Sequence, residues 1–224
     1  MPLVAAAACP HPPLLVPELA AGAAPELAEL RAACRLAVGR ACEAAPGMIY
    51  VVGADDPLRA RSFAPWGVEV PVDVPEPLPL ALLVGGWLTA GLTRSFVAVD
   101  PALEPADCAE LGAELAASAG RVAIVAMGDG SARRSERAPG HLDQRAQGYD
   151  TVVERALADA DAAALLALEP ELATDLLAAG RPAWQVLAGA AAGSPGLAGE
   201  LLLATAPYGV GYAVATWLEA GRAG

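Results

Sequence analysis

Four apolar runs constrain this chain more than any other feature: LVAAAAC (3–9), GMIYVVG (47–53), RSFVAVD (94–100) and RVAIVAMG (121–128). Each is too short for a buried helix, and each is bounded by Gly, Pro or charged residues. Segments with helical character lie between them: about 25–45 after Pro25, 78–91, and about 105–118. Strands that are apolar throughout are covered on both faces, and parallel neighbours need crossover connections. The expected architecture is α/β, one domain over 1–224, with a mixed, mostly parallel sheet and helices on both faces. GVEVPVDV (67–74) alternates like an edge strand, with Pro71 tolerable at an edge. Helical segments punctuated by Pro170, Gly180 and Pro182 fill 145–192. The closing ELLLATAPYGVGYAVATWL predicts two antiparallel strands around a Pro-Tyr-Gly turn.

Composition excludes several functions. The chain is 55% hydrophobic and 18% charged over 224 residues, enough apolar material for a large core. Its formal net charge of −12 leaves no basic stripe to neutralise phosphates, so nucleic acid is not an expected partner. All the basic residues other than histidine are arginine; without lysine, Schiff-base chemistry is excluded. Cys9, Cys34, Cys42 and Cys108 show no CxxC spacing and read as free thiols of a cytoplasmic protein. The N-terminal run lacks a basic flank and is stopped by Pro10, Pro12 and Pro13, so it is not expected to be a signal peptide. PLPLALLVGGWLTAGL is the most apolar stretch; its prolines and Gly pair suit a buried helix better than a membrane span.

In open α/β sheets, ligands sit beyond the carboxyl ends of the strands. The first strand delivers His11 there, the second Asp55 and Asp56, and the 121–128 strand Asp129 and Ser131, with Arg133 and His141 further along that loop. Imidazole with carboxylates suits Fe, Mn or Zn, which makes His11, Asp55 and Asp129 candidate metal ligands. Asp56, Ser131, Arg133 and His141 are candidate ligand-binding residues. Each Asp could equally cap a helix or form a turn, and His141, beside Pro139-Gly140, could be an ordinary surface residue. No GxSxG elbow, Walker loop or dinucleotide fingerprint is present.

PHPPLLVPE, GDGSARR, LDQRAQGYDTVVERAL, RPAWQVLAGAA and APYGVGYAVA, in that order, resemble the class III extradiol ring-cleavage dioxygenases. The nearest type is the catalytic-subunit-B-like group, in its actinobacterial branch. The resemblance implies an oxidoreductase in which two His and one carboxylate hold Fe(II), and a further His moves protons as a catechol-type ring is opened with O2. His11 matches the first ligand. Gly53-Ala54-Asp55-Asp56 stands where the second His is expected, Ala132 where the proton-transfer His is expected, and Ala178-Ala179-Gly180 where the carboxylate is expected. Glu171 and Asp175 are the nearest upstream acids. Loss of a positioned acid/base group alone removes about 10²- to 10⁴-fold in rate.

Two main readings follow. One is an Fe(II)-dependent, or other divalent-metal, extradiol enzyme with a rebuilt ligand set. The other is a non-catalytic relative, without metal, that binds a small anionic molecule or a protein partner in the same crevice. Arg59, Arg61, Arg133, Arg134 and Trp66 on the loops favour an aromatic or anionic ligand. A hydrolase with a carboxylate-bound metal is a third option, carried only by the Asp residues. The resemblance also allows a two-fold homodimer.

Overall fold

The computed structural model describes residues 3–220. Its centre is a six-stranded sheet built from β1 (Leu3–Cys9), β2 (Met48–Ala54), β5 (Arg94–Val99), β6 (Val122–Met127), β7 (Leu197–Thr205) and β8 (Tyr212–Glu219), in the order β5-β2-β6-β1-β8-β7. β5, β2, β6 and β1 run parallel; β8 is antiparallel to β1, and β7 is antiparallel to β8. The expected mixed α/β sheet is the one observed. β3 (Arg59–Ala60) and β4 (Leu78–Pro79) form a separate two-residue pairing.

The continuous apolar runs follow from burial on both faces. In β6, Val122, Ile124 and Ala126 enter one core, while Ala123, Val125 and Met127 enter the other. The second core is covered by α2 (Ala28–Glu43) and α3 (Leu80–Leu88), and the first by α4 (Pro105–Ala117), α5 (Ala146–Ala158) and α8 (Arg181–Ala191). A turn at α1 (Pro17–Ala20) and the short helices α6 (Ala162–Leu166) and α7 (Pro170–Asp175) complete the set. α4 and α8 cross closely enough that a Cβ on Gly112 would lie 2.0 Å from the Val186 carbonyl oxygen, and one on Gly189 2.2 Å from that of Ala109.

Three local expectations are corrected. Residues 67–74 are not an edge strand: Pro71 makes one isolated bridge with Ser62. The segment is also tied down by Arg61, which donates to the carbonyls of Val74 (3.0 Å) and Pro75 (2.7 Å), and by Arg94, which donates to the Asp73 carbonyl (2.8 Å); Val72 and Val74 are buried beside Gly86 of α3. Main-chain bonds persist on either side of Pro71, from the Val72 N–H to the Arg61 carbonyl (2.9 Å) and from the Phe63 N–H to the Val70 carbonyl (3.0 Å), and the side-chain clamp supplements the short pairing that Pro71 cannot extend. Pro25 does not open an α-helix; it lies within a 3₁₀ stretch, 21–27, that leads into α2. The helix expected at 78–91 is the shorter α3. The closing hairpin forms as expected, turning at Pro207–Gly209 with Tyr208 (φ 60°) and Gly209 (φ 78°) left-handed. Among the described residues, no helix is long and apolar enough to cross a membrane.

Candidate functional site

Chain direction decides where a crevice opens. β1 hands the chain to α2 on one face, whereas its neighbour β6 hands it to α5–α8 on the other. Neighbouring strands that leave to opposite faces create a gap beyond their carboxyl ends. His11 and Asp129 occupy that gap. A second gap opens between β2, which leads to α3, and β5, which leads to α4. Asp55, Asp56, Arg59, Asp100 and Pro101 line it, around a depression of about 420 Å³.

The His11 loop is fixed from several sides. Cys9 accepts a hydrogen bond from the Gly128 N–H at 2.8 Å, which joins the ends of β1 and β6. The buried Arg31 of α2 donates through Nε to the Leu15 carbonyl (2.8 Å) and holds the turn after the prolines. His11 itself is 8% exposed, and its backbone N–H donates to Asp129 Oδ1 at 2.7 Å. Its Nδ1 lies 3.5 Å from the same oxygen, too far for a good bond, and has no hydrogen-bond partner. The carboxylate therefore holds the His11 main chain rather than its ring. Burial raises the Asp129 carboxyl above its ordinary range, and the adjacent His11 charge and N–H pull it back only in part. Burial, then the Asp129 charge, push the Tyr212 hydroxyl upward as well.

A second carboxylate, Asp150, organises the loop after β6. It stands on the apolar stripe of α5 and is 3% exposed. Oδ1 accepts the Ser131 N–H at 2.7 Å, and Oδ2 accepts Arg134 Nη1 at 2.8 Å. Burial nevertheless raises its carboxyl, against the pull of these two donors. Gly130 and Gly211 exchange a 2.8 Å bond beside it, and a Cβ on Gly211 would lie 2.3 Å from Asp150 Oδ2. Asp150 was not among the sequence candidates. An acid in phase with Ala146, Tyr149 and Val153 on one helix face was the available signal.

The other candidates divide plainly. Asp55 does not join the His11–Asp129 pair; its Oδ1 accepts from Arg59 Nη2 (2.6 Å) and from the Asp56 N–H (2.8 Å). Asp56 forms a turn, accepting the Leu58 N–H at 2.7 Å. Ser131 is fully buried, and its Oγ accepts the Arg133 N–H at 3.3 Å. Arg133 is half-buried and packed against Gly140, not free at a rim. His141 is exposed in a left-handed turn (φ 57°), and no described ion pair joins it to the crevice. Trp66 is half-buried, edge-on to Phe63 at 6.0 Å.

An Fe(II) facial triad needs three converging donors with open positions beside them. Among the described residues, no group of three His, Cys, Asp or Glu side chains is placed to hold a metal ion. His11 and Asp129 supply two, and one oxygen of the second is engaged by an N–H. The residues present do not fit the iron that the resemblance implies.

The Asp129 carboxyl carries a prediction. Asp129→Asn keeps an acceptor for the His11 N–H and removes the charge. Because the folded carboxyl titrates above its unfolded value, wild type gains stability as pH falls through the folded value towards the unfolded one. The Asn variant is therefore expected to be the more stable protein at pH 7, with an advantage that vanishes below about pH 4. Urea denaturation across that range measures it. A variant less stable than wild type at pH 7 would show instead that the ionised carboxylate is favourable there and contradict the raised titration.

No protein-family model matches the chain, and no curated protein matches it.

Proposed function

We propose that this protein is a non-catalytic relative of the extradiol dioxygenases that binds a small anionic molecule in the strand-end crevice. One observation carries the reading: each carboxylate offered by the sequence at the strand ends is already engaged by the chain's own donors. Asp129 is held by the His11 N–H, Asp55 by Arg59, and Asp56 by the Leu58 N–H. Free thiols at Cys9, Cys34, Cys42 and Cys108 accord with the cytoplasmic placement we propose for it. The proximity of His11 to Asp129 is the one observation on the side of the metalloenzyme.

A turnover assay tests the proposal. The protein is incubated anaerobically with one equivalent of Fe(II), then given catechol and O2, and ring-opened product is followed by absorbance. Product formation no faster than with free Fe(II) is expected. Repeated turnovers per protein, abolished by His11→Ala, would overturn the proposal.

A further inference from the structure

The crevice continues beyond the residues discussed so far. The Gly180 N–H donates to the Asp129 carbonyl at 2.8 Å, which seats the start of α8 against the loop after β6. Beside it is a hollow of about 310 Å³, lined by Pro101, Thr174, Leu177, Ala178, Ala179 and Arg181, among others. Arg181 is 1% exposed. It donates through Nη1 to the Leu103 carbonyl (2.8 Å) and Gln185 Oε1 (2.7 Å), and through Nη2 to the Pro101 carbonyl. All three partners are neutral, and none of the described ion pairs includes Arg181. An arginine this buried is seldom left without a counter-charge, because desolvating the cation is costly.

The start of α8 adds positive character at the same place. The Arg181 N–H, in the first turn of α8, has no described backbone acceptor, and the positive end of the helix lies there. Apart from Thr174 the remaining lining is aliphatic, with no aromatic ring. Glu171 and Asp175 line the adjoining depression, where a second negative charge on a ligand would be repelled.

We propose that the hollow at the start of α8 binds an aliphatic monocarboxylate, whose carboxylate supplies the counter-charge for Arg181 while its chain lies on Leu177, Ala178 and Ala179. At about 30 Å³ per water-sized group, the space takes a ligand of about ten non-hydrogen atoms. This assigns a place and a chemical class to the anion of the proposed function, and it rests on that reading.

The test is calorimetric titration of the full chain with hexanoate and, separately, with hexanamide, which has the same shape and no charge. Hexanoate is expected to bind one per chain, and hexanamide at least about tenfold more weakly. Ala179 is exposed at the rim, so Ala179→Leu fills the hollow without touching the core; it should weaken hexanoate by about tenfold or more while leaving the melting temperature unchanged. No hexanoate binding at 10 mM (roughly the weak limit of such titrations), equal binding of the amide, or full binding by Ala179→Leu would each overturn the site. Those failures leave open an anion elsewhere in the crevice. Iron-dependent catechol turnover would instead overturn the underlying functional reading, whatever hexanoate does.

Discussion

Replacing Asp150 by Ala is expected to cost about 3 kcal/mol, near the lower end for breaking a buried ion pair. The loss has two sources. The Ser131 N–H, fully buried, is left without an acceptor, and Arg134, whose side chain is 21% exposed, keeps its charge without a partner. Partial access of Arg134 to water is why the upper end of the range is not expected. In a chain of this size the melting temperature should fall by about 6–12 °C. Asp150→Asn keeps an acceptor for Ser131 and should lose clearly less. Adding Arg134→Ala to Asp150→Ala should return part of the loss, since the second change removes the orphaned charge. A loss under about 0.5 kcal/mol, the ordinary scatter of surface changes, would show that Asp150 does not organise the loop after β6.

The second large effect is at the crossing of α4 and α8. Gly112→Ala should destabilise by about 2 kcal/mol or more, although Ala is the better helix former by about 1 kcal/mol. The added Cβ would stand 2.0 Å from the Val186 carbonyl oxygen and 2.7 Å from the Ala190 nitrogen, and neither main-chain atom can yield as a side chain could. The helices must move apart, which exposes the core beneath them. Gly39→Ala in α2 is the control: nothing lies within 4 Å of its Cβ, so the helix propensity should show as a gain of about 0.5–1 kcal/mol. Thermal melts of the two variants should move in opposite directions. A stabilised Gly112→Ala would contradict the close crossing.

The sheet was legible because its information is local. A strand buried on both faces must be apolar throughout, and LVAAAAC, GMIYVVG and RVAIVAMG meet that rule without help from distant residues. The segment 67–74 misled for the converse reason. GVEVPVDV has strand periodicity, but it makes only a short pairing with 61–63 and is otherwise held by the Arg61 and Arg94 side chains reaching its carbonyls, contacts that no periodicity encodes. The site was partly legible in the same way. Strand ends deliver their next residues to one rim, so His11 and Asp129 could be placed together from order alone. Which atoms meet could not be read: Asp129 binds the His11 main chain, and Asp55, delivered to the same rim, turns to Arg59 four residues on. Asp150 and Arg181 escaped because each is a charge set in an otherwise apolar helix surface. Their meaning depends on where that surface packs.

The same feature governs the functional conclusion. A metal centre requires converging donors with lone pairs to spare; each strand-end carboxylate here has one oxygen taken by the chain's own N–H or guanidinium groups, and among the described residues no third donor joins His11 and Asp129. Equilibrium binding of Fe(II) under anaerobic conditions, followed on wild type and on His11→Ala, tests this most directly. The account predicts no one-to-one complex with wild type, and the same weak, non-stoichiometric binding with the variant. A one-to-one complex that His11→Ala abolishes would contradict it.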